Sequence, residues 1–220
     1  MAMTTSPNLL IVDDHPMIRA ALAEALRTRF PRLRLEMATD AESAIALLRA
    51  ELKKKKDQAW WVLVDLGLPG MGGLEAMRLL LDLGPSVRAI TISGNDDELQ
   101  VGACFGAGAS AFISKAAPID DTVTIVAQAI EGSLIKGTWL SARGLADSSS
   151  LNRIALTDRQ LQVLSMICEG KSNREIADSL GISEITAKSH VGGIFRELHV
   201  ASRTQAVLVA QKLGLSANNH

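Results

Sequence analysis

Three aspartates in the N-terminal half of the chain stand where short apolar runs end. Asp13 and Asp14 follow the run LLIV at 9 to 12, and Asp65 follows WVLV at 61 to 64. If these runs are parallel strands, their carboxyl ends share one edge of the sheet, where ligands bind in such folds. Converging carboxylates repel one another unless a hard cation joins them, and oxygen ligands suit Mg²⁺. The spacing predicts an acidic pocket that binds Mg²⁺.

A structural interpretation of the same acids is helix capping. Asp13 or Asp14 could cap a helix that begins near Pro16, and for one acid taken alone this is the favoured interpretation. Three acids at matching strand ends favour the pocket instead.

Two further residues could support phosphoryl chemistry in this pocket. A carboxylate can attack phosphorus to form an aspartyl phosphate, and the transfer depends mostly on positioning and charge neutralisation. Lys115 follows the apolar run at 111 to 113 and can supply a fixed cation, while Ser93 follows the run at 87 to 92 and can donate a hydrogen bond. Each alone is most often a solvated loop residue, but together they complete a phosphoryl-accepting set.

Apolar runs and amphipathic stretches alternate through the first 131 residues. The runs predict strands at 9–12, 33–37, 61–64, 87–92 and 111–113. The stretches between them predict helices at 16–28, 40–52, 73–82, 96–106 and 118–131. This alternation implies right-handed crossovers and a sheet covered on both faces. We therefore expect an α/β domain with a five-stranded, doubly wound parallel sheet.

The last third of the chain has a wholly helical pattern. Capping boxes at 157–160 and 172–175 mark two helix starts. Gly170 and Gly181 stand where helix ends are expected, and Ser183 can cap the next helix. With a last helix at about 203 to 213 that ends at Gly214, the pattern predicts a small all-α domain of four helices.

The third of these helices, at 183 to 198, has two distinct faces. An inward apolar stripe is formed by Ala187, Val191, Ile194 and Leu198. The opposite face carries Ile185, Lys188, Ser189, Gly192 and Arg196. A helix with a small and basic outer face, preceded by a short helix and a turn, suits the DNA major groove.

Individual DNA contacts follow from the chemistry of these side chains. Lys188 is predicted to read bases, because lysine can donate to guanine O6 and N7. Thr186, His190 and Lys171 are better placed for phosphates. The helical pattern alone fits a small protein-binding module as well as it fits a DNA-binding domain.

Between the two patterns, residues 136 to 155 lack any period and indicate a linker. Trp139, Leu140 and Leu145 in this segment could pack against either domain. We predict an N-terminal domain at 1–131, a linker at 132–154 and a helical domain at 155–220.

Composition and charge agree with this division. Residues 1–135 carry 13 Lys and Arg against 17 Asp and Glu, whereas residues 151–220 carry 8 against 6, so only the second segment is net positive. No apolar run approaches the roughly 20 residues of a membrane span, and the first residues do not resemble a signal peptide. We expect a cytoplasmic protein with no membrane partner. Cys104 and Cys168 are interpreted as core residues.

The N-terminal part resembles the receiver domains of two-component response regulators. The matching segments are LLIVDDHP at 9–16, VLVDLGLPGMGGLEA at 62–76, ITISG at 90–94 and GASAFISK at 108–115. The resemblance implies a flavodoxin-like fold and phosphorylation by a sensor histidine kinase. By this resemblance, Asp65 is the phosphoacceptor. Asp13, Asp14, Asp65 and the Gly67 carbonyl bind Mg²⁺ in such domains. Ser93, Phe112 and Lys115 match the residues that respond to phosphorylation.

Two features depart from the receiver pattern. Phe112 replaces the commoner tyrosine, so an inward swing of this ring would depend on packing alone. The segment 51–60 is longer than usual, and its run Lys53–Lys56 is interpreted as a solvated helix end and loop.

Residues 156 to 207 resemble the LuxR-type helix-turn-helix of NarL/FixJ regulators. This resemblance implies dimeric binding to paired DNA half-sites, with the last helix as the dimer contact. A departure is the pair Gly192 and Gly193 in mid-helix, where each glycine costs roughly 1 kcal/mol relative to alanine. Gly192 also leaves a base-facing position without a side chain.

Two other functions compete with a phosphorylated transcription factor. A phosphohydrolase with an aspartate nucleophile lacks an evident general acid, because Gly67 stands two residues beyond Asp65. A transcription factor that does not depend on phosphorylation is possible but leaves the acidic set unexplained. No complete nucleotide-binding glycine motif occurs, and we expect the protein not to be an enzyme.

Overall fold

The computed structural model describes residues 8–55, 58–149, 151, 154, 156–212 and 215. Its first part alternates strands and helices. The elements are β1 (Asn8–Val12), α1 (Pro16–Arg29), β2 (Arg34–Ala38), α2 (Ala41–Lys54), β3 (Trp60–Asp65), α3 (Gly73–Leu81), β4 (Val87–Ser93), α4 (Glu98–Gly106), β5 (Ala111–Ser114) and α5 (Ile119–Glu131). Lys56, at the end of the lysine run, lies outside the described residues.

The strands form one sheet in the order β2-β1-β3-β4-β5, all parallel. Strand order reverses between β1 and β3, so the carboxyl ends of these strands open into the crevice where ligands bind in doubly wound sheets. The predicted α/β fold is confirmed, and each predicted strand is present within one or two residues of its expected bounds.

The sheet nevertheless extends beyond the five predicted strands. Two further strands, β6 (Thr138–Ser141) and β7 (Gly144–Ala146), give it seven; β6 pairs in parallel with β5, and β7 runs antiparallel to β6. The physical reason is that β5 would otherwise leave a row of unpaired backbone groups at the sheet edge. Within this hairpin Trp139 and Leu140 are buried in the cores on the two faces of the sheet, whereas Leu145 is 74% exposed. Part of the expected linker is therefore an added hairpin.

Alternation along the strands distributes the core over both faces of the sheet. Leu10 and Val12 pack with α2, α3 and α4 on one face, whereas Leu9 and Ile11 pack with α1 and α5 on the other. Strands buried on both faces explain why their sequences are continuous apolar runs.

The second part is helical and consists of α6 (Asp158–Cys168), α7 (Asn173–Leu180), α8 (Glu184–Glu197) and α9 (Arg203–Lys212). Both predicted capping boxes are formed, at the starts of α6 and α7. Gly181 ends α7 with a φ of 63°, which glycine adopts without strain. The predicted end of the last helix at Gly214 lies outside the described residues.

The two parts are in contact at the ends of α3 and α4. A Cβ atom on Gly106 would lie 2.1 Å from the carbonyl oxygen of Ile154, so only glycine allows this approach. Arg78 donates to the Leu156 carbonyl oxygen at 2.6 Å and pairs with Asp158. Within the described part of the chain, no helix is long and apolar enough to cross a membrane.

Candidate functional site

Asp13, Asp14 and Asp65 converge at the carboxyl edge of the sheet, as their positions predict. Together with His15, each offers a potential ligand atom within 4.8 Å of the others. Asp13 and Asp65 are buried, at 1% exposure each, because β1 and β3 are adjacent central strands. Acids at strand ends in such a crevice are held close together by the sheet itself.

The capping interpretation of these acids does not hold for α1. Its N-cap residue is His15, which makes no side-chain capping bond, and Pro16 occupies the first turn. Asp13 Oδ1 instead accepts a hydrogen bond from the His15 backbone amide at 2.8 Å. This bond turns the chain after β1 and directs the second oxygen, Oδ2, toward the pocket.

Lys115 supplies a cation that bridges two of the carboxylates. Its Nζ atom lies 2.7 Å from Asp65 Oδ2 and 2.9 Å from Asp13 Oδ2. Burial lowers the pKa of the Lys115 ammonium, but hydrogen bonding and charge from Asp65 and Asp13 outweigh it and hold that pKa above the ordinary value. Lys115 therefore remains charged in the pocket.

Asp65 has an environment that penalises its charge. Burial raises the pKa of this carboxyl, and the hydrogen bonds from Lys115 and from the Gly67 amide, which lies 3.0 Å from Oδ1, only partly offset that effect. Charge on Asp13 raises the pKa further. Additional positive charge in the pocket would therefore stabilise the ionised form.

His15 belongs to the same cluster and was not predicted as a site residue. Its Nδ1 atom lies 2.8 Å from Asp14 Oδ1, 3.1 Å from Asp13 Oδ1 and 3.4 Å from Lys115 Nζ. The only sequence signal is its position directly after the aspartate pair, which by itself gives no chemical role.

Ser93 and Phe112 lie on the adjacent strands β4 and β5. The Ser93 hydroxyl donates to Gln100 Oε1 at 3.0 Å and accepts from the Asn95 amide at 3.1 Å, so it is engaged with the loop and helix that follow β4. The Phe112 ring is fully buried in the core beneath α4. An inward aromatic at this position therefore needs no hydroxyl partner.

The α8 helix has the two faces that the sequence predicts. Its inward stripe is buried to 8% exposure or less: Ala187, Val191, Ile194 and Leu198. On the outer face, Ile185, Lys188, Ser189 and Arg196 are exposed and Gly192 is half-buried. The α/β domain, which touches α6 through Arg78, does not cover this face.

The residues assigned to phosphates lie around the start of this helix-turn-helix. Thr186 is exposed, and its hydroxyl is 2.8 Å from that of the N-cap Ser183. His190 is half-buried. Lys171, just before α7, pairs with Glu169 at 2.9 Å.

The two mid-helix glycines have different surroundings. A Cβ on Gly193 would lie 3.0 Å from Gln160 Nε2, so this glycine permits close packing of α8 on α6. A Cβ on Gly192 would meet only the Arg196 guanidinium, at 3.8 Å. Packing against α6 explains why residue 193 is a glycine. Gly192 lies on the outer face, where packing gives no such reason.

Comparison with known proteins matches both parts of the chain to family models. Residues 9–127 match "Response regulator receiver domain", and residues 155–210 match "Bacterial regulatory proteins, luxR family". The chain is a response regulator. Its two predicted resemblances are confirmed, and its family is one of transcriptional regulators, which are generally not enzymes.

Curated relatives match the chain over nearly the whole length of both proteins. The response regulator is 30% identical to the glycerol metabolism activator of Pseudomonas putida over 95% of this chain and 97% of the relative. It is 29% identical to the nitrate/nitrite response regulator protein NarP of Escherichia coli, over 95% and 96% of the two chains. A solved structure of RcsB from Salmonella enterica serovar Typhimurium covers 94% of this chain and 99% of RcsB, with a TM-score of 0.53 and 18% identity, and shows the same fold.

Proposed function

We propose that this response regulator accepts a phosphoryl group on Asp65 from a sensor histidine kinase. A carboxylate oxygen of Asp65 attacks phosphorus, and the bond from phosphorus to the kinase histidine nitrogen breaks as the new O–P bond forms. The observation that carries the proposal is the placement of Lys115, which bridges Asp65 Oδ2 at 2.7 Å and Asp13 Oδ2 at 2.9 Å. A charged lysine at this point is positioned to stabilise phosphoryl oxygens.

The donor set fits Mg²⁺. Asp13 Oδ2 lies 2.9 Å from Lys115 Nζ, and Asp14 Oδ1 lies 2.8 Å from His15 Nδ1. Both oxygens are buried, and the described part of the chain offers them no other hydrogen-bond donor, so a divalent cation could displace these two contacts. We propose that Asp13, Asp14, Asp65 and the Gly67 carbonyl hold the ion. When bound, Mg²⁺ supplies positive charge that neutralises the carboxylates and the incoming phosphoryl oxygens.

Ser93 and Phe112 are proposed to convert phosphorylation into a change of shape. Phosphoryl oxygens are stronger acceptors than the Gln100 amide oxygen that Ser93 now contacts at 3.0 Å. If the Ser93 hydroxyl donated its hydrogen bond to a phosphoryl oxygen instead, its hydrogen bond to Gln100 in α4 would break. Phe112, packed beneath α4, would then adjust to the shifted helix.

The output is proposed to be binding of a homodimer to double-stranded DNA. In this account Lys188, Ser189, Gly192 and Arg196 face the major groove, while Lys171, Thr186 and His190 contact phosphates. The boundaries 1–131, 132–154 and 155–220 stay as the proposed domain division, with the β6–β7 hairpin as an ordered part of the linker. RcsB, which has the same fold, has been solved in complex with DNA and, in another structure, with promoter DNA, and these complexes support the proposed output by analogy. A regulator of chromosomal promoters would act in the cytoplasm.

Phosphate incorporation tests the proposal. The wild type, incubated with acetyl phosphate and Mg²⁺, should gain a slower-migrating band on a phosphate-affinity gel, and Asp65→Asn should not. Asp178→Asn removes an exposed carboxylate from α7 and should behave as the wild type. Chelation with EDTA should abolish the band, and added Mg²⁺ should restore it. Incorporation by Asp65→Asn at the wild-type level would contradict the assignment.

A further inference from the structure

One apolar side chain stands out on the DNA-facing helix. Among the described residues from 156 onward, Ile185 is the most exposed large apolar side chain, at 83%, ahead of Leu208 at 55%. It lies in the first turn of α8, after the N-cap Ser183. A fully solvated isoleucine at this point gives the free protein no burial energy.

Helical spacing places Ile185 at the N-terminal end of the outer face. Ser189, Gly192 and Arg196 follow it at intervals of four, three and four residues, which is the period of one helical stripe. The inward stripe is on the opposite side and fully packed. The N-terminal residues of a recognition helix are those that reach base edges.

The neighbours of Ile185 on this stripe are small. Ser189 has a short side chain, Gly192 has none, and the position of a Cβ on Gly192 has only the Arg196 guanidinium nearby, at 3.8 Å. A helix with this surface can enter the groove deeply. Its most protruding apolar group would then be the Ile185 side chain.

We propose that Ile185 reads a thymine through its 5-methyl group, an inference that rests on the proposed DNA-binding function. Thymine is the one base that presents a methyl group in the major groove, and apolar side chains recognise it by contact. Lys188 lies three residues further along the same helix, about 5 Å away, so the thymine and the base read by Lys188 should be within one or two base pairs.

Selection from a random pool of DNA duplexes gives the first test. Wild-type protein, phosphorylated with acetyl phosphate, should enrich a half-site with one strongly preferred thymine, and Ile185→Ala should lose the preference at that position alone. Ile135→Ala is the matched control, because Ile135 is 78% exposed but lies between α5 and β6, outside the helical domain. It should enrich the same half-site as the wild type.

Deoxyuridine isolates the methyl group. Replacing the preferred thymine by deoxyuridine removes only the methyl, and wild-type affinity should fall about fourfold, the value expected for one buried methyl group. Ile185→Ala should bind both duplexes equally. Equal binding of the two duplexes by the wild type, or an unchanged thymine preference in Ile185→Ala, would overturn the proposal while leaving DNA binding intact. Failure of the wild type to enrich any sequence would instead contradict the proposed function.

Discussion

At the residue scale, Lys115 and a bound Mg²⁺ would compete for the same two buried carboxylates, those of Asp13 and Asp65. Lys115 already neutralises Asp13 and Asp65, at 2.9 and 2.7 Å. A divalent cation bound to the same oxygens would be repelled by the ammonium group. If the pocket binds Mg²⁺ as proposed, Lys115 stabilises the metal-free form and should limit the affinity for Mg²⁺ until a phosphoryl group adds negative charge.

Replacing the lysine should expose this competition. Lys115→Met removes the ammonium, so we expect Mg²⁺ to bind roughly tenfold more tightly, from the Coulomb repulsion of charges about 5 Å apart in a solvated site. Isothermal titration with MgCl₂ measures the change. Lys136→Met, which alters an exposed lysine outside the pocket, should leave Mg²⁺ affinity unchanged. Weaker binding in Lys115→Met than in the wild type would show that the lysine does not compete.

At the element scale, the apolar pattern predicts the central strands and helices, and capping residues predict where the helices start. The five central strands are continuous apolar runs because both faces of the sheet are covered. The β6–β7 hairpin escaped prediction because glycine, serine and charged residues surround its two short strands, so neither stands out as a continuous apolar run. His15 and Arg78 were missed because a single polar residue carries no pattern, and its role depends on residues distant in sequence.

The hairpin provides a stability prediction. Trp139→Ala removes a buried side chain from β6 and should lower the free energy of unfolding by about 3 to 5 kcal/mol, as for other buried aromatic truncations. Leu145→Ala, in the same hairpin but at 74% exposure, should change it by less than about 0.5 kcal/mol. Urea titrations followed by the fluorescence of Trp60 and Trp61 give both values. Similar effects from the two variants would mean that the hairpin does not pack as described.

The paired glycines of α8 provide a second prediction at this scale. Gly192→Ala should stabilise the helical domain by up to about 1 kcal/mol, because alanine favours a helix and the site is open. Gly193→Ala should stabilise the domain less, because its Cβ would lie only 3.0 Å from Gln160 Nε2. Thermal unfolding followed by circular dichroism distinguishes the two. Equal gains would indicate that Gly193 is not needed for packing against α6.

At the scale of the whole molecule, the two domains are joined without masking the recognition helix. Contacts run from α3 and α4 to residues 154–158, while the outer face of α8 remains exposed. If the outer face of α8 contacts DNA as proposed, phosphorylation would act by changing how domains and protomers are arranged, since that face is already exposed. Gly106 lies directly against Ile154, the last residue of the proposed linker.

Substitution of Gly106 should separate the domains. In Gly106→Ala the new Cβ would overlap the Ile154 carbonyl oxygen, at 2.1 Å, so the contact must open. Small-angle X-ray scattering should give a larger radius of gyration than for the wild type. Gly94→Ala is the control, because its Cβ would meet nothing within 4 Å. An unchanged radius in Gly106→Ala would contradict the docked arrangement.

Coupling between the two domains is the central claim, and one comparison of DNA affinity tests it most directly. Binding to a duplex enriched by the wild type is measured by fluorescence anisotropy, with and without acetyl phosphate and Mg²⁺, for the wild type and Asp65→Asn. The phosphodonor should tighten DNA binding by the wild type and leave DNA binding by Asp65→Asn unchanged. Identical affinity in all four samples would contradict a phosphorylation switch, although the protein would still be a DNA-binding regulator.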